Sequence, residues 1–413
     1  MTPQILEILT ELISRPSVNP RLAAPDDPAA GESRVTAWLC DFFQRQQWAW
    51  LTQMVQPGRA NALAVVPGRA DRVLLWEAHQ DTVAAAGMDQ PFAAVQRDGR
   101  IYGRGACDVK GGLAAILAAA VAAEAAAAPS QRPTLLVAST INEECGFTGV
   151  RALADLLQGG DQTSTAGLEG PLSAAELAKL RPQAAIVAEP TDLHVVAAHR
   201  GVVRWQARTA GRAAHSSRPE QGANAVYAMA RVVQGVEQLH QELSTADAQV
   251  TDPLLSQCGP PTIAVTTIQG GVGANTVPDT AVIDIDRRIS PGESPEEAYE
   301  AVKSALARRV ELGECRLTHD PPWMQSTCLA DEPSRQWAEL LAAAVRTTSP
   351  ACQVVGVPYG TNAATLAAAG IPAAVFGPGS IQQAHTIDEY IEIAQLEAAV
   401  DVLTRIGSGE YEM

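Results

Sequence analysis

Basic side chains are the first shortage: 30 Lys and Arg stand against 46 Asp and Glu, for a formal net charge of −16. That imbalance repels a phosphate backbone or an anionic bilayer at long range, which argues against nucleic acid and membrane surfaces as partners. Aromatic residues make up only 4% of the chain, so its cores must be built from Ala, Val, Leu and Ile within a hydrophobic share of 46%. The seven cysteines (Cys40, Cys107, Cys145, Cys258, Cys315, Cys328, Cys352) are scattered, with no C-x-x-C pair or regular framework. Such usage suits reduced thiols in a cytoplasm. No long apolar run occurs: the longest, starting at Leu113, ends at Glu124, well short of the roughly 20 residues that a bilayer span needs. Glu7 and Glu11 interrupt the N-terminal apolar stretch, which lacks the basic start of a secretory signal. The expected location is cytoplasmic. A nucleotide enzyme is disfavoured too, because GRGACDVKGG lacks the third glycine of the dinucleotide fingerprint and no P-loop appears.

What remains is a chain of 413 residues, long enough for two or three domains of about 150 residues. The N-terminus reads as an amphipathic helix through Ile5, Leu9 and Leu12. Strand-like runs (ANALAVVPG, RVLLWEAH, TLLVASTIN, AAIVAEPT) then alternate with helix-like ones, including the Ala-rich segment after Lys110. This rhythm predicts an α/β domain with a mixed, largely parallel sheet flanked by helices. A polar stretch over 158–181 reads as a surface insertion with a short helix. From about Ala197 the texture changes to alternating strands (VVRWQARTAG, TIAVTTIQGG, TAVIDIDRRIS) separated by two amphipathic helices, and it reverts after Pro322. The expected organisation is one α/β domain formed by 1–196 and 322–413, into which a smaller α+β module, 197–321, is inserted.

Acidic and imidazole groups recur where this pattern ends its strands, the edge at which open α/β sheets bind ligands. His79 and Asp81, two apart in an extended segment, share a face, so the carboxylate could orient the imidazole. Asp108 lies in a glycine-flanked turn before the Ala-rich helix, able either to bridge two cations or to cap that helix. Glu143 and Glu144 follow an apolar strand; side by side, one could hold a metal while the other holds a water within proton-transfer reach. Glu189 ends another apolar run, and His385 follows a Gly/Pro-rich turn. His194, His199, His240 and His319 have no comparable setting and read as structural or surface groups. Should Asp108, Glu144 and Glu189 meet His79 and His385, three crowded negative charges would need cations. Mixed imidazole and carboxylate donors suit two Zn2+ ions, with Co2+ or Mn2+ as substitutes.

In the order AHQDTV, GRGACDVKGG, NEECG, AEPT, GRAAHSSRPEQGANAV, GGVGANTVPD and GPGSIQQAHTIDEY, these motifs span nearly the whole chain. In them the chain resembles the zinc-dependent deacylase/exopeptidase family of acetylornithine deacetylase, succinyl-diaminopimelate desuccinylase, aminoacylase and carboxypeptidase G. The resemblance implies that Asp108 is shared by two metals, one completed by His79 and Glu189 and the other by Glu144 and His385. It implies Glu143 as the general base, Asp81 supporting His79, and the inserted module as a lid and dimerisation domain. It further implies that His215 polarises the scissile carbonyl across a dimer interface, that Asn275 and Arg288 bind a substrate carboxylate, and that Gly360 and Thr361 line the pocket. The implied activity is hydrolysis of a small N-acyl amino acid, with acetylornithine the first substrate and succinyl-diaminopimelate the second. A dimetal dipeptidase or carboxypeptidase is the rival within hydrolases, and a metal or amino-acid binding protein the rival outside them. Two departures stand out. Asn142 occupies a position that is often acidic in the family, and Cys107 and Cys145 flank proposed catalytic carboxylates, where thiolate chemistry is the competing role.

Overall fold

The structure, a computed structural model, describes residues 2–159, 167–246 and 251–411. The chain forms two compact units, Met1–Ala197 with Ala330–Val355 and Thr361–Met413, and Ala198–Leu329 with Gly356–Gly360. The junction expected at 321/322 falls instead at Leu329, because Met324–Ser326 pairs with the strand Gly201–Ala210 and keeps this stretch in the second unit. Part of the polar stretch over 158–181 lies outside the described residues, namely 160–166. Its expected short helix is Ala174–Leu177, started by a capping box between Ser173 and Glu176.

The first unit carries a mixed nine-stranded sheet. At its centre Ala373–Phe376, Ala184–Val187, Arg69–His79 and Pro133–Thr140 run parallel. Antiparallel strands flank them, Val195–His199 on one side, Arg59–Val66 and then Ala49–Gln56 on the other. Three of the central strands are buried at every position. Continuous burial, without period-two alternation, is what a parallel sheet covered on both faces requires. The Ala-rich segment becomes the helix Lys110–Ala126, buried without interruption from Lys110 to Ala120 and packed against Arg69–His79 and the last helix, Ile393–Gly407. The N-terminal helix Thr2–Ile13 turns Ile5, Ile8, Leu9, Leu12 and Ile13 inward, as its spacing predicts. Among the described residues no helix is long and apolar enough to cross a membrane.

In the second unit the strands Thr262–Gly270, Thr280–Ile289, Gly201–Ala210 and Arg316–His319 form an antiparallel sheet in that order. Val203, Trp205, Ala207, Ile283 and Ile285 point into a core completed by the helices Ala225–Ala246 and Pro295–Arg309. The alternate residues Arg204, Gln206 and Arg208 stay partly exposed, the one-sided pattern of a sheet covered on a single face.

One close approach ties the core to the strand ends. Gly149, in the first turn of the helix Thr148–Leu157, sits so near the segment after Pro133–Thr140 that a Cβ would lie 2.3 Å from the Ile141 carbonyl oxygen. Gly149→Ala should therefore cost about 1–3 kcal/mol through overpacking. Calorimetry should record this as a lower unfolding midpoint; an unchanged midpoint would mean that the segment yields freely.

Candidate metal centre and active site

Three central strands deliver acids and an imidazole to one edge of the sheet. Arg69–His79 ends on His79, Pro133–Thr140 leads to Glu143 and Glu144, and Ala184–Val187 leads to Glu189. His79 is buried, with Nε2 3.1 Å from Asp108 and 4.0 Å from Glu189. Its Nδ1 lies 2.9 Å from the main-chain carbonyl of Asp81 and 3.6 Å from that residue's carboxylate. Asp81 thus fixes the ring mainly through its backbone. Its carboxylate is engaged elsewhere, accepting the N–H groups of Glu143 at 3.0 Å and Glu144 at 3.2 Å and the amide of Asn19 at 2.7 Å.

The turn that presents Glu143 and Glu144 passes through Asn142 in the left-handed region, at φ +62°. Asparagine tolerates that conformation better than most residues. Its side chain accepts from Asn19 at 2.9 Å and donates to Thr148 at 2.9 Å. Glu143 is buried, and among the described residues no protein hydrogen bond reaches its carboxylate.

Asp108 does not cap the Ala-rich helix, whose start lacks any side-chain cap bond. Its carboxylate is instead shared: one oxygen meets His79, the other lies 3.3 Å from Nε2 of His385. His385, itself left-handed at φ +64°, also lies 3.2 Å from Glu144. Two groups of potential metal ligands result, His79 with Asp108 and Glu189, and Asp108 with Glu144 and His385, and in each the donor atoms lie within 4.8 Å of one another. Glu389, not singled out from the sequence, accepts the backbone N–H groups of Gly105, Cys107 and Asp108.

The electrostatics of this cluster are strained without a cation. Burial pushes Glu143, Glu144 and Glu189 above the usual carboxylate range, and neighbouring carboxylates add to it. Burial works against the charged form of Asp108 as well, but hydrogen bonds from His385 and His79 overcome it and hold this carboxyl low. The same bonds to Asp108 and Glu144 lift His385 to about 10. Crowded acids with only two imidazoles form a donor set that fits divalent cations. The thiol alternative fares worse. Cys107 is buried and its thiol is driven far up by burial and by Glu389 and Asp108, which opposes thiolate chemistry.

His215, Asn275 and Arg288 lie in the second unit. His215 is exposed, and its Nδ1 accepts the N–H of Ser217 at 3.2 Å, which leaves Nε2 as the N–H of the neutral ring. The carbonyl of Asn275 accepts from Ser216 at 3.0 Å. Arg288 lies 2.8 Å from Asp286, a carboxylate that it shares with Arg204 at 2.6 Å. Two guanidinium groups thus converge on one carboxylate. Gly360 belongs to the second unit and the buried Thr361 to the first. The four other histidines have local roles: His199 is buried beside the Arg200 carbonyl, His319 accepts from Trp205 at 3.0 Å, His194 accepts from the N–H of Gln353, and His240 lies on the helix Ala225–Ala246.

Residues 75–408 match the sequence profile of peptidase family M20/M25/M40. An acetylornithine deacetylase of Myxococcus xanthus is 32% identical over 345 residues, which cover 82% of this chain and 80% of that protein. Among solved structures, an M20-family metallo-carboxypeptidase of Sulfolobus solfataricus is similar with a TM-score of 0.72 at 17% identity, covering 98% of both chains. A dipeptidase of Saccharomyces cerevisiae is similar with a TM-score of 0.72 at 14% identity, covering 100% of this chain and 97% of that one. At such identities the two structures show a shared fold.

A metal-binding imidazole must be neutral, whereas His385 in the free protein titrates near 10 and so carries its proton at pH 7. Loading the metal-free protein with Zn2+ at pH 7 should therefore release protons, and the release should shrink as the titration pH approaches 10. Calorimetry in buffers of different ionisation enthalpy measures it, and zero release at pH 7 would contradict the role of His385 as a ligand.

Proposed function

The chain belongs to peptidase family M20/M25/M40 and is a metal-dependent hydrolase, and on that premise we propose that it removes the acyl group from small N-acyl amino acids, with acetylornithine as the leading substrate. The observation that carries this proposal is Glu143: a buried carboxylate, raised in pKa by burial and with no hydrogen bond to its side chain among the described residues, beside two sets of metal donors. A buried carboxylate with an elevated proton affinity is suited to take up a proton and hand it back. The substrate class is supported by the similarity to the Myxococcus xanthus deacetylase.

In the proposed site His79, Asp108 and Glu189 would hold one cation, and Asp108, Glu144 and His385 would hold a second. Zn2+ is the cation we favour, since imidazole and carboxylate donors in these numbers suit it, with Co2+ or Mn2+ as substitutes. Bound there, such ions would supply Lewis acidity that polarises the acyl oxygen and makes water easier to deprotonate. The chain's own residues do the rest. Glu143 removes a proton from the attacking water as its oxygen bonds to the acyl carbon. As the C–N bond breaks, Glu143 returns that proton to the departing amine, leaving a carboxylate and a free amino acid. Asp81 holds the Glu143–Glu144 turn and the His79 ring in place for both steps.

The inserted module is proposed to act as lid and dimerisation domain, with His215 donating from Nε2 to the developing oxyanion of the partner's site. Support comes from the exposed imidazole with its fixed Nδ1 acceptor, and from the edge strand Thr262–Gly270 beside the exposed Tyr227, Ile268 and Val272. Arg288, aided by Asn275, would anchor the α-carboxylate, and the convergence of the Arg204 and Arg288 guanidinium groups supports this role. Gly360 and Thr361 are proposed to line the pocket. A cytoplasmic location is the compartment that the cysteine usage favours.

Activity is tested with acetyl, succinyl, formyl and peptidyl amino acids in Zn2+ and Co2+. Chelator-sensitive hydrolysis that is fastest on acetylornithine is expected; preference for dipeptides would move the function to a peptidase, and no hydrolysis at all would leave a binding protein. Glu143→Ala should keep its metal yet lose about two to four orders of magnitude in kcat; wild-type turnover would remove the base assignment. Mixed dimers of inactive His215→Ala and Glu143→Ala subunits should regain partial activity, and inactive verified heterodimers would refute action across the interface.

A further inference from the structure

We propose that Glu389 is a positioning residue of the metal centre, holding Asp108 and His385 in mutual register through hydrogen bonds alone. This inference rests on the proposed roles of those two residues as ligands. Glu389 is fully buried, and both carboxylate oxygens are occupied. One accepts the N–H groups of Cys107 at 2.9 Å and Asp108 at 3.0 Å; the other accepts Gly105 N–H at 3.0 Å and Arg104 Nη1 at 2.5 Å. The loop wraps so tightly around one side chain because Gly103 and Gly105 take positive φ, at +156° and +81°. A carboxylate has about four lone-pair positions, all of them used here, so Glu389 has no capacity left for an ion of its own.

The same side chain reaches His385 through Arg104. The Arg104 guanidinium, bonded to Glu389, also donates to the carbonyl of Thr386 at 3.1 Å, one residue after His385, and to that of Ala84 at 3.2 Å. A small sheet fixes the register of the two segments: Tyr390 pairs with Tyr102, Ile391 with Ile101 and Glu392 with Arg100. Gly103 N–H closes the join on the Glu389 carbonyl at 3.1 Å. One acid thus sets the backbone under Asp108 and, four residues earlier in its own segment, the turn that carries His385.

The chemistry requires a charged acceptor at this place. A glutamine would turn an NH2 group toward N–H donors, so at least one buried donor would lose its acceptor. Glu389→Gln should weaken the binding of Co2+ by about 10–100-fold, the usual effect of losing a group that orients metal ligands. It should also alter the visible Co2+ spectrum and lower kcat more than it raises KM. Titration of the metal-free protein with Co2+, followed by absorption and calorimetry, reads this directly. Trp48→Phe is the comparison: it removes a hydrogen bond to Glu124 at the far end of the Ala-rich helix, and should lower stability while leaving Co2+ affinity and spectrum unchanged. Should Glu389→Gln not fold, Arg104→Lys carries the same test, since it keeps a charge near Glu389 but loses the guanidinium fork that reaches Thr386. A folded variant with wild-type Co2+ affinity and spectrum would overturn the inference and reduce Glu389 to a structural ion pair. Failure of the wild-type protein itself to bind Co2+ would instead overturn the proposed ligand set.

Discussion

Carboxylates packed together away from water are the constraint on which the rest of this molecule turns. Asp108, Glu143 and Glu189 are all buried, and Glu144 is close beside them with its side chain largely covered. Left alone, such a group would neutralise itself by taking up protons. The chain answers with two imidazoles and with oriented backbone N–H groups, and the donor set leaves room for cations to complete the balance. Each acid is treated differently: Asp108 is held low by two histidines, whereas Glu143 and Glu189 are held high by burial. Unequal environments for chemically similar groups are how one site separates a ligand from a base.

Holding those groups in place is the work of residues that touch no substrate. Asp81 and Glu389 are buried acids that each gather backbone N–H groups from a turn, the first from 143–144 and the second from 105–108. Asn19 then links Asp81 to Asn142, and Arg59, paired with the buried Glu32, reaches toward the same asparagine at 3.3 Å. On the other side Asn362 and Thr140 donate to Glu77, beneath His79. Turns that would otherwise be soft are thereby tied to the parallel strands, so that the sheet's rigidity extends to the reacting groups.

The α/β architecture was legible because continuous apolar runs and the Ala-rich helix carry strong periodic signals. Strand ends were legible for the same reason, and with them His79, Glu143, Glu144 and Glu189. Glu389 left no such mark: it lies in a short irregular segment, and its partners are backbone N–H groups far away in sequence, which no side-chain pattern encodes. Asn19, Arg59 and Asn362 leave none either, because the side chains they bond, those of Asp81, Asn142, Glu32 and Glu77, lie far off in the sequence. The second domain junction was misplaced because Met324–Ser326 is too short to read as a strand before its partner Gly201–Ala210 is known. Asp81 is legible from its spacing to His79, but its carboxylate serves the Glu143–Glu144 turn more closely than the His79 ring.

By itself the sequence determined which side chains are chemically able to bind cations and move protons, and that His79, Glu143, Glu144 and Glu189 follow strands, because residue type and hydrophobic period are local properties. Only the tertiary structure decided that one aspartate is shared by two donor groups, that the Glu143 carboxylate has no hydrogen-bond partner among the described residues, and that Glu389 knits two distant loops together. Those outcomes depend on burial and on hydrogen bonds between segments hundreds of residues apart in the chain, which exist only once the sheet has brought its ends together.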